Sequence, residues 1–156
     1  MILIFLLVSD SIPRFEQMLT GATILSTVEG KPSWKLIADT VYDFGGEYKV
    51  YNLTVIIYDR SGLYSRIVAD SGSMDKNSGN MQAFGNVIVE TYDSVRLETN
   101  YLIWDDRRDR IYTPDTVVIM SGDRILRGIG FESDPSLRRI RIKRNVYGEG
   151  REGIVR

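Results

Sequence analysis

The chain repeats itself at an interval of thirty residues. When Ala69, Gly85, Val87, Val89 and Asp93 are set over Thr99, Asp115, Val117, Ile119 and Asp123, every step is 30. Asp75 then falls on Asp105, Met81 on Ile111 and Val95 on Ile125. A third copy follows at an offset of 29, carrying Asp105 to Asp134, Ile111 to Ile140 and Val117 to Val146. Upstream, Asp43, Val50 and Val55 stand about 32 residues ahead of Asp75, Met81 and Val87. A fixed period of this length means stacked supersecondary units, none of which can bury its apolar face alone.

The units are made of strands. Thr20 to Val28 and Leu53 to Tyr58 are β-branched runs, and Ser33 to Val41 sets Trp34, Leu36 and Ala38 on one face against Lys35, Ile37 and Asp39 on the other. Tyr48 to Tyr51 reads as a short strand of its own. Glu29-Gly30-Lys31-Pro32, Gly45-Gly46 and Asp59-Arg60-Ser61-Gly62 read as turns, the last joining Leu53–Tyr58 to a partner strand over Leu63–Ala69. Helical spacing occurs only over Ile12–Leu25, where Pro13, Gly21 and three β-branched residues reduce it to a linker into the first strand. Without helices to serve as crossovers a parallel sheet is excluded. An all-β antiparallel fold of repeated strand–turn units remains: a sandwich, a β-jelly roll or a β-taco.

Residue absences narrow the chemistry. The 156 residues include no His and no Cys, so imidazole bases, thiolate nucleophiles and the usual transition-metal ligands are missing. A net charge of −1 provides no global field for collecting nucleic acid. Asp105, Asp106 and Asp109 are the densest carboxylates, but they interleave with Arg107, Arg108 and Arg110 in a hairpin turn, the pattern of a solvated surface. No catalytic residue, metal site or cofactor is expected.

Met1 to Val8 is uniformly apolar. As a helix it spans about 12 Å against the roughly 30 Å of a bilayer core. It reads as the end of a membrane anchor. The expected organisation is an apolar anchor and linker over 1–20, a β-domain over 21–147 and a polar tail over 148–156. The late strand is expected over Leu137–Val146, with Arg139, Arg141 and Lys143 sharing its outer face.

Four stretches resemble a known family. Gly30 to Ala38 is similar to an opening strand of the pattern G-x-x-x-W/Y-x-L-x-A. Val55–Asp59 with Leu63–Asp70 resembles its second hairpin, Met81–Val89 its Gly-Asn-Val-Ile-Val step, and Leu97–Leu102 its L-x-T-x-x-L step. The family is LptC, the membrane-anchored periplasmic component of lipopolysaccharide export, and the resemblance runs over about residues 25–147. The soluble bridge component, LptA, shares the rhythm.

The resemblance implies an OstA/LptA-like β-jelly roll whose inner face is an apolar groove, in a protein of the periplasm attached to the inner membrane. The groove would be lined by Trp34, Leu36, Val55, Ile57, Met81, Val87, Val89, Ile111, Val117 and Ile119. It would receive lipopolysaccharide from the inner-membrane ABC permease complex and pass it to the bridge protein. The bridge would add its strand at a C-terminal edge containing Ile140, Ile142, Asn145 and Val146. An LptA-like bridge component, a structural or adhesive β-repeat with a closed core, and a carbohydrate-active enzyme on a jelly-roll scaffold are the alternatives. The enzyme would need two carboxylates facing one another across a cleft, and the alternation provides no such pair.

Overall fold

The structure is a computed structural model that describes residues 17–149, with side chains described as far as Arg144. Nine strands follow one another: β1 (Gln17–Val28), β2 (Lys31–Asp43), β3 (Glu47–Tyr58), β4 (Tyr64–Asp75), β5 (Met81–Thr91), β6 (Val95–Asp105), β7 (Arg110–Ser121), β8 (Arg124–Ser133) and β9 (Arg141–Glu149). They form one antiparallel sheet in sequence order, each strand paired with its neighbours in the chain. The thirty-residue period is one hairpin, two strands and two turns: Met81, Val87 and Val89 of β5 recur as Ile111, Val117 and Ile119 of β7.

A flat sheet has an exposed face on each side, yet here one face is fully covered. The cause is a crease halfway along the strands. In β2 the buried positions are Trp34, Leu36 and Ala38, then Val41, so the inward phase shifts by one residue; β4 shifts between Ala69 and Gly72, and β6 between Thr99 and Leu102. At the same level the ladders slip between Val68 and Ser71, Phe84 and Val87, Glu98 and Ile103, and Thr113 and Thr116. Asn52 and Asn86 adopt left-handed backbone there, with φ of 51° and 45°. Their side-chain amides donate to Asp39 (2.9 Å) and Asp70 (2.8 Å) on the adjoining strands, fixing the bend from outside. Asn tolerates this conformation where a branched side chain would not.

Folding along the crease brings two half-sheets face to face. Trp34, in the first half of β2, meets Trp104, in the second half of β6, edge to face at 6.0 Å between ring centroids. Small inward residues gather near the crease, where the halves converge: Ala38, Ala69, Gly72, Ala83, Thr99 and Gly128. Both Trp side chains lie toward the strand ends, away from the crease. The all-β antiparallel architecture read from the repeat is the one observed.

Several boundaries differ from the sequence reading. Tyr48–Tyr51 and Leu53–Tyr58 are not two strands but one, β3, bent at Asn52. β1 begins at Gln17, ahead of the expected Thr20, so Gln17–Leu19 is strand, not linker, and Lys31 and Pro32 belong to β2 instead of the turn. The late strand begins at Arg141, not Leu137; residues 134–140 form a loop. Arg139 therefore does not share a strand face with Arg141 and Lys143. Leu137 turns inward with φ of 56° and is buried. The apolar run Met1–Val8 lies outside the described residues.

Candidate functional site

The crease gives the molecule an inward face shared by strands from β2 to β8. Trp34 and Leu36 reach it from β2, Val55 and Ile57 from β3, Met81, Val87 and Val89 from β5, and Ile111, Val117 and Ile119 from β7. All ten are buried in one cluster, with exposures between 0 and 7%. The two least covered, Trp34 and Ile57, are direct cross-strand partners at the rim nearer the start of the sheet.

The sequence reading left out β4, β6 and β8. Ile67 and Met74 of β4, Leu97, Leu102 and Trp104 of β6, and Leu126 and Phe131 of β8 occupy the same face. The signal was present: Ile67 to Leu97 and Met74 to Trp104 are steps of 30, and Leu97 to Leu126 and Leu102 to Phe131 are steps of 29.

The face carries no charge among the described residues. Its buried polar members are hydroxyls, on Ser65, Thr91, Thr99, Thr113 and Ser133. Thr99 donates to the Thr116 carbonyl at 2.9 Å, and Thr91 donates to Asp93 in the β5–β6 turn. Trp104 is different. Its indole Nε1 is buried and has no acceptor, although the residue is only 3% exposed. An unpaired buried donor costs on the order of 1–3 kcal/mol.

The inward face is packed shut over most of its length. One end of the seam between the rims is covered by the 134–140 loop. Pro135 and Ser136 line a small cavity of about 40 Å³ with Ile57, Tyr64 and Tyr92. The Arg138 guanidinium crosses to Asp59 (3.6 Å) and donates to the Tyr92 hydroxyl (3.4 Å). Asp134 organises the loop by accepting from the backbone N–H of Arg138 (3.0 Å) and Arg139 (2.8 Å) and from the Ser136 hydroxyl. Burial pushes the Asp134 carboxyl up, but these donors outweigh it and hold it below its ordinary value.

The two sheet edges differ. β1 places Ala22 and Ile24 against the cluster while Met18, Leu19, Leu25 and Val28 are exposed. At the other edge Ile142 of β9 pairs with Phe131 and packs against the cluster, and Asn145 pairs with Gly128. Ile140 is partly buried in the loop ahead of the strand, and the side chains of Asn145 and Val146 lie outside those described. Neither β1 nor β9 has a second strand neighbour among the described residues.

The carboxylates near residue 105 sit in the β6–β7 turn. Asp105 accepts from the Arg108 backbone N–H at 3.1 Å, and Asp106 has its carboxyl pushed up by burial and by the charges of Asp109 and Asp105. Among the described residues no group of His, Cys, Asp and Glu is placed to hold a metal ion. No helix among them is long and apolar enough to cross a membrane.

The family described as "Lipopolysaccharide-assembly, LptC-related" matches residues 20–150 of the chain. Among solved structures, the chain is similar to the crystal structure of LptH, the LptA-homologous periplasmic component of the conserved lipopolysaccharide transport device from Pseudomonas aeruginosa. The two share 10% identity over 82% of this chain and 81% of that one, with a TM-score of 0.40. No curated protein matches.

Proposed function

The chain belongs to the LptC-related family of lipopolysaccharide assembly and is a component of lipopolysaccharide transport; from that premise we propose that its inward face shelters the acyl chains of the lipid in transit. The chains would arrive from the inner-membrane ABC permease and leave for the soluble bridge protein. The observation that carries this reading is the uncharged, largely apolar face running from Trp34 and Ile57 across to Ile119 and Phe131.

The energetics require such a face. Each CH₂ moved out of water gains about 0.8 kcal/mol, so a lipid with several acyl chains cannot be released into the aqueous phase between carriers. The same arithmetic applies to the protein. Side chains that are 0% exposed, such as Val87 and Val117, already bury one another. Acyl chains therefore replace contacts between the half-sheets, and the halves part to admit them. Covalent chemistry has no place in this scheme, and ATP hydrolysis belongs to the partners. Attachment to the inner membrane would fall to the apolar run Met1–Val8.

Photo-crosslinking groups placed at Ile57, Val89 and Ile119 test the reading in an energised exporter. They are expected to capture lipopolysaccharide, while the same group at the outward, ion-paired Glu90 captures none. Equal labelling at both kinds of position, or none at the inward ones, would leave the packed face as the closed core of a structural β-repeat.

A further inference from the structure

Among the described residues the inward face has one polar group that the fold does not use. Trp104 lies in the second half of β6 between its cross-strand partners Met81 and Ile111, which are 2% and 0% exposed and whose side chains hold no oxygen. Its ring meets Trp34 edge to face, and its Nε1–H has no acceptor. Buried polar groups in native proteins are satisfied with few exceptions, so each exception calls for a reason.

Packing alone does not supply one. The equivalent positions in the neighbouring units are Met74, thirty residues earlier, and Ser133, twenty-nine later, so the repeat does not require an indole here. A phenyl ring could meet Trp34 edge to face without leaving a donor unpaired.

Depth in the groove points to the missing acceptor. Trp104 is one residue from the end of β6, at the rim and well away from the crease. An acyl chain between the halves would run its hydrocarbon toward the crease and present its carbonyl near the rim, where the polar head group emerges. An indole suits such a boundary, being apolar over most of its surface with a single donor at one edge.

We propose that Trp104 is the polar contact of the lipid-binding face, its Nε1–H donating to the carbonyl oxygen of an ester or amide that joins an acyl chain to its head group. The proposal rests on the reading of the inward face as a lipid site and adds to it a residue that registers where each chain begins.

The full chain contains two Trp residues, so ¹⁵N-tryptophan labelling gives two indole signals, assigned with Trp34→Phe. Purified lipid A is expected to move the Trp104 indole proton downfield, as a new hydrogen bond does, whereas hexadecane, which has no oxygen, does not. Trp104→Phe is expected to bind lipid A about fivefold more weakly, the loss of one ordinary hydrogen bond. If lipid A binds the native chain but leaves the Trp104 signal unmoved, or moves it no more than hexadecane, the proposal is overturned and the lipid site stands. A Trp104→Phe variant that folds and binds as tightly as the native chain overturns it in the same way. If the native chain binds no lipid A, both the lipid site and the contact fall together. A variant that fails to fold leaves the decision to the native spectrum.

Discussion

Gly72 and Gly46 differ by what surrounds them. A Cβ on Gly72 would stand 2.6 Å from the Gln82 carbonyl oxygen and 2.7 Å from Leu53 Cδ2, whereas at Gly46 nothing lies within 4 Å. Neither has the left-handed backbone that would itself demand glycine. Gly72→Ala should therefore destabilise by about 1–3 kcal/mol, the range for overpacking, and Gly46→Ala by less than about 0.5 kcal/mol. Urea unfolding midpoints compare the two. Only part of this was legible in the residues themselves. Gly72 occupies the repeat position later held by Leu102 and Phe131, so its inward placement follows from the period. That it abuts Leu53 follows from the crease, which no local pattern announces. Asn52 shows why: its left-handed backbone interrupts the alternation of β3 and makes one strand read as two.

At the scale of elements, β9 was the hardest to read. Charged and apolar residues alternate from Arg139 to Lys143 as they would in a strand, but the chain first inserts Leu137 into the seam and bridges the rims with Arg138. Alternation reports which residues prefer water, not whether a neighbouring backbone is within reach. β2 was read well because Trp34, Leu36 and Ala38 alternate without a break until the crease. We propose that the soluble bridge adds its strand to the second side of β9, a pairing that works through backbone N–H groups. Asn145→Pro removes one such donor and is expected to weaken capture of the soluble bridge by about tenfold, measured by pull-down or titration with the purified partner. The paired change Arg141→Glu, Lys143→Glu should act mainly on the salt dependence of association. If Pro leaves capture unchanged while the charge reversal abolishes it, the contact is an electrostatic surface and not a shared sheet.

For the molecule as a whole, carboxylates at the turns set the response to acid. Asp43 is held below its ordinary value of 3.8 by Lys76 and the Gly45 N–H, and Asp75 by Ser78 and Asn77. Asp59 and Asp134 are pushed up by burial, but their hydrogen bonds win and both end below 3.8. A carboxyl with a depressed folded-state pKa adds stability that is complete above the unfolded value and is lost as pH falls through the folded one. Asp106, raised by burial, works in the opposite sense and loses its penalty on protonation. The urea midpoint is thus expected to hold from neutral pH to about 5 and to fall below about 4. Asp106→Asn should raise it at pH 7, by an amount that shrinks as pH drops toward 3.8.

Because every strand pairs with its neighbours in the chain, the order in which this protein leaves the ribosome is the order in which it can be built. Each hairpin finds its template in the one already made, and no early segment waits for a late one to complete its ladder. The crease can be set strand by strand as the Asp39–Asn52 and Asp70–Asn86 contacts form. The seam is different: Trp34 must wait for Trp104, and Asp59 and Tyr92 for Arg138. A nascent chain would therefore show its greasy side to the surroundings until its last third appears. A holdase that covers open β-surfaces would find its longest-lived target in that interval, well before the finished protein meets any lipid.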